Sequence, residues 1–229
     1  MKLIRKTITF AHDKGGTGKT TTCINVAVEL NNEFDVTVID LDPKRQFTEF
    51  NSNRKESEKL KTFIVSDINS FNLFMESYNG LLLIDLGGFD SDLFRNALLL
   101  SDIIIAPLSD SDNDMHGLSN FIELLNEVTN TIKEHKIDVD CSILVNRVHH
   151  ANKSAHVLLS EVADAHGFSI YNTIIRENVI YKNMLFRGQN ACEKSHGTAC
   201  VNIKKLVLEI KKKMESNYVS ISNIEDAKK

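Results

Sequence analysis

Lys14-Gly-Gly-Thr-Gly-Lys-Thr20 stands between an apolar run, Leu3–Phe10, and a segment, Thr21–Asn31, in which Ile24, Val28 and their apolar neighbours recur at helical spacing. A strand that feeds a glycine-rich loop and then a helix is a phosphate-binding arrangement. Gly15, Gly16 and Gly18 allow close backbone approach, and the helix start presents N–H donors to an anion. Lys19 can neutralise a phosphoryl group, and the Thr20 hydroxyl can ligate Mg²⁺. The full Gly-x-x-x-x-Gly-Lys-[Ser/Thr] pattern is not met, because position 13 is Asp. A lysine at position 14 is also more than an ordinary phosphate loop requires.

Further along, short apolar runs alternate with helical segments. Val36–Ile39 ends in Asp40, Leu81–Ile84 runs into Asp85, and Ile103–Ala106 precedes Pro107. Cys141–Val145 and Ile170–Ile175 complete the strong strand candidates, with Thr62–Val65 a shorter one. Helices are expected over Gln46–Lys61, Leu118–Lys133, Ser154–Gly167 and Asn202–Glu215. Strands apolar throughout and separated by helices predict an α/β fold, a mostly parallel twisted sheet with helices on both faces. A single domain over residues 1–217 is expected, followed by a polar tail, 218–229. Asp85 is placed to orient Mg²⁺ through water. Asp40 and Asp42, two apart at the end of another strand, are candidates to position water and to hold the Lys, Thr or metal network.

Composition narrows the function. The 229 residues are 42% apolar and 25% charged, ordinary for a globular protein, and the net charge of −4 excludes a wholly polyanion-binding surface. The charge is uneven: Arg176–Lys229 holds 11 basic against 6 acidic residues, and the rest 16 against 25. Nucleic-acid contact is therefore expected from the C-terminal third. No apolar run is long enough to span a membrane. Cys23, Cys141, Cys192 and Cys200 form no CxxC pair and are expected as reduced cytosolic thiols.

The stretch Lys14–Thr21 resembles the deviant Walker A motif of the ParA/MinD family of P-loop ATPases. Asp40-Leu-Asp-Pro43 resembles that family's second acidic motif and Leu82-Leu-Ile-Asp85 its Walker B strand, and the likeness extends from Lys2 to about Glu215. Small plasmid and chromosome partition ATPases are the nearest match. The resemblance implies the ParA/MinD-type P-loop NTPase fold, slow ATP hydrolysis with Mg²⁺, and a homodimer formed on ATP binding. In it Lys14 would reach the partner subunit's nucleotide, while Lys19 would act within its own subunit. Gly15, Gly16, Thr17, Gly18, Thr20 and Thr21 would cradle the phosphates, with Thr20 and Asp85 serving the metal. Asp42 would activate water, Asp40 would assist it, and Asn146 would contact adenine; a plain turn asparagine is the alternative for Asn146.

This chain departs from the family pattern at Asp13, at Pro43-Lys-Arg45 and at Leu86-Gly-Gly88, where Gly87 and Gly88 are read as switch residues. No cysteine arrangement suits a cluster-sharing reductase, and the segment 216–229 lacks the character of an amphipathic membrane helix. Partition ATPases also bind nonspecific DNA. Arg176, Lys182, Arg187, Lys204, Lys205, Lys211, Lys212 and Lys213 are the candidates, although a lysine run is also simply a solvated face. A first strand at residue 3 leaves no room for an N-terminal helix-turn-helix, so a separate centromere-binding adaptor is expected, with the protein on the nucleoid in the cytoplasm. The alternatives are a positioning ATPase for non-DNA cargo and a nucleotide switch with little turnover.

Overall fold

The computed structural model describes residues 6–109, 120–128, 130–131, 139–149, 152 and 154–226. Its first half runs β1 (Lys6–Phe10), α1 (Lys19–Leu30), β2 (Val36–Asp40), α2 (Gln46–Ser52), β3 (Lys61–Ile64), α3 (Ile68–Ser77), β4 (Leu81–Asp85), α4 (Asp92–Leu99) and β5 (Ile103–Leu108). A helix, α5, covers 120–128. There follow β6 (Asp140–Val148), α6 (Ala155–His166), β7 (Ser169–Ile170), β8 (Ile175–Arg176), a 3₁₀ turn at Val179–Asn183, α7 (Met184–Arg187), α8 (Ala191–Lys194) and α9 (Thr198–Asp226).

The strands lie in the order β3-β2-β4-β1-β5-β6-β7, with β8 also on β6, and all their pairings are parallel. Parallel strands need helical crossovers, which cover both faces and force both faces to be apolar. The side-chain alternation shows it: Ile8, Val38 and Leu83 pack with Ile24 of α1 and Ile203, Leu206 and Ile210 of α9. Ile39, Leu82, Ile84 and Ile104 pack the other way, with Phe71 of α3, Phe94 of α4, Phe121 of α5 and Leu159 of α6. Helix ends follow local chemistry. Asp67 and Ser91 cap α3 and α4 by accepting from the Ser70 and Phe94 N–H groups, and Gly167, at φ 72°, closes α6.

Several expected elements are corrected. The helix expected over Gln46–Lys61 stops at Ser52, because the Asn51 side chain turns away to bond the Leu60 backbone through both its donor and its acceptor (2.8 and 2.9 Å). The strand expected over Ile170–Ile175 is interrupted, because the Asn172 and Thr173 N–H groups donate to Glu209 of α9 (2.8 and 2.9 Å) rather than to a neighbouring strand. The helix expected over Asn202–Glu215 is longer, running from Thr198 to Asp226. The cysteines differ as well: Cys192 and Cys200 form a disulfide joining α8 to α9, while Cys23 and Cys141 are free and buried. The helix expected over Leu118–Lys133 lies partly outside the described residues.

Candidate nucleotide site

Register brings the site together. Phe10 and Asp40 both sit opposite Asp85, so the glycine loop and both acidic strand ends open at one edge of the sheet. Gly16 and Gly18 have φ of 88° and 95°, a left-handed conformation that glycine adopts without penalty, and Gly18 leads directly into α1. The Asn146 amide donates to the Thr17 carbonyl at 2.7 Å and lies where a Cβ on Gly18 would be. Asn146 therefore braces the loop. Thr17 and Thr20 are buried and Thr21 is half-buried.

Lys19 is buried and donates to the Lys14 carbonyl at 2.8 Å. Burial pulls its pKa below the usual lysine value, against the opposing pull of Asp85, Asp42 and Asp13. Asp85 is wholly buried, and neither of its oxygens has a hydrogen bond of normal geometry. Burial and the nearby Asp40 carboxylate raise its pKa well above the ordinary carboxylate range, and the facing Thr20 hydroxyl only partly offsets them. An unsatisfied buried carboxylate beside a threonine hydroxyl offers the oxygen groups that a hard cation takes directly or through water, so Asp85 and Thr20 fit Mg²⁺. Asp85→Asn removes a buried acid without changing shape. It is expected to raise stability of the ligand-free protein by about 1–3 kcal/mol, read as a higher Tm, while abolishing the effect of Mg²⁺ on nucleotide affinity.

The two remaining carboxylates differ. Asp40 is saturated: Oδ1 accepts from the Asp42 N–H at 3.1 Å, and Oδ2 accepts from the Thr48 N–H and hydroxyl at 2.9 and 2.6 Å. Burial raises its pKa despite these bonds. Asp42 is half-buried, lines the cleft and accepts from the Lys44 N–H at 2.9 Å. Asp40 thus anchors the turn, and Asp42 faces the space where a reacting group would lie.

Gly87 and Gly88 follow β4. A Cβ on Gly88 would fall 2.6 Å from the Gly15 nitrogen and 2.8 Å from the Lys14 carbonyl carbon, and one on Gly87 would fall 2.9 Å from Pro43 Cδ. The segment after Asp85 therefore lies directly on the phosphate loop. Gly88→Ala is expected to displace that loop and weaken nucleotide binding about tenfold, with a stability loss of about 1–3 kcal/mol, both measurable by calorimetry.

The cleft, about 830 Å³, continues from the glycine loop to Asn146, Ile175, Val179 and Tyr181. Its sequence reading missed Arg147, a non-glycine residue at φ 56° whose guanidinium donates to the Gly16 carbonyl, and His12, which stacks on Phe121 at 4.5 Å. The Lys14 N–H donates to His12 Nδ1 at 3.0 Å, and the Asp13 carboxylate lies 2.8 Å from the same nitrogen. No local signal marked Arg147 or the stacking of His12 on Phe121, since both depend on partners distant in sequence.

The candidate DNA-binding residues come from β8, the turn at Val179–Asn183, α7 and α9. Arg176 and Lys182 line the cleft, and Arg176 donates to the His149 and Asn152 carbonyls (3.1 and 3.2 Å). Lys211 pairs with Glu33 at 2.5 Å and Lys213 with Asp140 at 2.7 Å, so the Lys211–Lys213 run is divided between two carboxylates. Lys204, Lys205 and Lys212 are exposed on α9, and Lys205 and Lys212 share a shallow groove with Arg176 and Glu209. Arg187 is exposed at the end of α7 beside Phe186, which is 78% exposed.

A family model, CbiA, described as the CobQ/CobB/MinD/ParA nucleotide binding domain, matches residues 8–190. The chain belongs to this family. Solved structures share its α/β P-loop fold. Cyanothece McdA in the apo form is 18% identical, covering 89% of this chain and 98% of that one, with a TM-score of 0.69. A putative plasmid partition protein from Borrelia burgdorferi B31, bound to AMPPNP, is 18% identical, covering 90% and 97%, with a TM-score of 0.65. The septum site-determining protein MinD from Pyrococcus horikoshii, complexed with Mg-ADP, is 15% identical, covering 90% and 95%, with a TM-score of 0.63. No curated protein matches the chain. Among the described residues no helix is long and apolar enough to cross a membrane.

Proposed function

We propose that the protein binds ATP with Mg²⁺ at the glycine loop and hydrolyses it slowly, and that the ATP-bound form is a homodimer that positions DNA cargo. The observation that carries the nucleotide reading is the buried, unsatisfied Asp85 carboxylate beside Thr20 and Lys19 at the foot of the cleft. Similar proteins bound to AMPPNP and Mg-ADP support the same ligands here. Thr20 and Asp85 would hold the cation, which supplies charge neutralisation between phosphate oxygens. Lys19 holds phosphate oxygens, the N–H groups of Gly15–Thr21 surround them, and Asp42 orients a water for in-line attack. Lys14, half-buried at the start of the loop, would complete the neighbouring subunit's site.

Nonspecific DNA would be met by the exposed cations Lys204, Lys205, Lys212 and Arg187, with a separate centromere-binding adaptor supplying site choice and nucleoid association following. Each phosphate contact is modest, so binding depends on the doubled surface of the ATP dimer. Mobility shifts on unrelated duplexes are expected only with ATP and Mg²⁺. Their log affinity should fall with log salt by roughly 0.9 per phosphate neutralised. A joint charge-removal variant at Lys204, Lys205 and Lys212 should lose the shift and still dimerise. Wild-type protein that dimerises on ATP and shows no shift at low salt removes the DNA role. The pairing of Lys211 with Glu33 and of Lys213 with Asp140 favours a second reading in that event, a positioning ATPase for non-DNA cargo.

A further inference from the structure

Behind the glycine loop, Asn25 of α1 is wholly buried and uses both ends of its amide. Nδ2 donates to the Thr21 carbonyl at 2.7 Å and contacts Met184 Sδ at 3.4 Å, while Oδ1 accepts from the Ala191 N–H at 2.9 Å. One side chain thus ties the turn of α1 that follows Lys19 and Thr20 to the first residues of α7 and α8. Between and before those contacts lies the segment that forms the cleft's far wall, Val179, Tyr181 and Lys182, and then exposes Phe186 and Arg187. α8 has other anchors. Asn190 donates to Glu29 at 2.9 Å, and Arg54, itself buried, grips Glu193 with two bonds of 2.9 and 2.7 Å. These hold α8 on the body of the protein, but neither touches the phosphate turn.

We propose that Asn25 is a positioning residue that couples the phosphate-contacting turn to residues 179–194, so that nucleotide at Thr20 and Thr21 sets the placement of the cleft wall and of the exposed Phe186–Arg187 tip. This rests on the nucleotide reading above. The physical basis is that a buried amide with both ends satisfied has little room to trade partners. A shift of the Thr21 carbonyl must either move the Ala191 end or leave a buried polar group unpaired. The Asn25 to Thr21 bond spans one helical turn, and a serine at position 25 can make an equivalent bond back to residue 21 without reaching Ala191.

The experiment is amide hydrogen exchange of residues 179–194 in wild-type protein, Asn25→Ala and Asn25→Ser, each without nucleotide and with AMPPNP and Mg²⁺, alongside calorimetric AMPPNP affinity. Wild type is expected to gain about tenfold protection in this segment on binding nucleotide. Both variants are expected to bind AMPPNP within about threefold of wild type and to show a nucleotide-dependent change of less than about twofold. Glu29 and Arg54 keep α8 in place, so both should fold. A wild-type-like protection gain in the serine variant overturns the proposal, because the bond to Ala191 is then dispensable. So does a loss of affinity of tenfold or more in both variants, which makes Asn25 a support of the loop alone. Failure of wild-type protein to bind AMPPNP overturns the nucleotide reading itself, a result separate from either.

Discussion

Lys19→Ala is expected to lower ATP–Mg²⁺ affinity by about a hundredfold or more, the loss of roughly 2–4 kcal/mol that follows truncation of a buried charge paired with an ionic ligand. The reasoning is local. Lys19 is the buried ammonium at the start of α1, where it donates to the Lys14 carbonyl. Burial depresses its pKa, so the charged form is the costly one and a triphosphate is the partner that offsets the cost. The same argument gives a control: the ligand-free variant should be no less stable than wild type, because an expensive charge has been removed. Calorimetry measures the affinity and thermal unfolding the control. Equal affinity in the two proteins would end the phosphate assignment.

Asp42→Ala is expected to cut ATP turnover by about 10²–10⁴-fold while leaving ATP affinity within about threefold. Asp42 is the half-buried carboxylate at the cleft, held in orientation by the Lys44 N–H. Asp40 differs in kind, since Asp42 and Thr48 already occupy both its oxygens. Asp40→Ala should therefore destabilise the fold by about 2–3 kcal/mol by leaving those donors unpaired, and lose activity only as the protein unfolds. Phosphate release under saturating ATP, compared with unfolding curves, separates the two variants. Selective loss of turnover in the Asp40 variant, with normal turnover in the Asp42 variant, would reverse the roles.

The parts of the molecule legible in sequence are those whose cause is local. Leu81–Ile84 running into Asp85 could only be a doubly buried strand ending in a carboxylate, and the glycine loop needs its glycines at the turns where φ is positive. What could not be read depends on partners far along the chain. The Asn51 bonds that end α2 engage Leu60, the Glu209 bonds that break the strand after Ile170 come from α9, and Asn25 meets Ala191. The lysine run shows the same limit from the other side. Lys211–Lys213 reads as one basic patch, yet helical geometry turns its first and last members toward different carboxylates, Glu33 after α1 and Asp140 on β6. Cys192 and Cys200 are eight residues apart in sequence, and only the meeting of α8 with α9 pairs them.

The strand order has a consequence for how the protein holds together. The site is stitched from the ends of β1, β2, β4 and β6, which lie far apart in the chain and become neighbours only when the parallel sheet has closed around β1. Nothing short of the assembled sheet can grip the ligand, so the unfolded chain has negligible affinity and nucleotide acts as a clamp on folding itself. At a hundred times its Kd, a ligand that binds only the native state adds about 2.7 kcal/mol of stability. The protein's lifetime then follows the supply of its own nucleotide: a chain deprived of it is the one that opens and is exposed to proteolysis first.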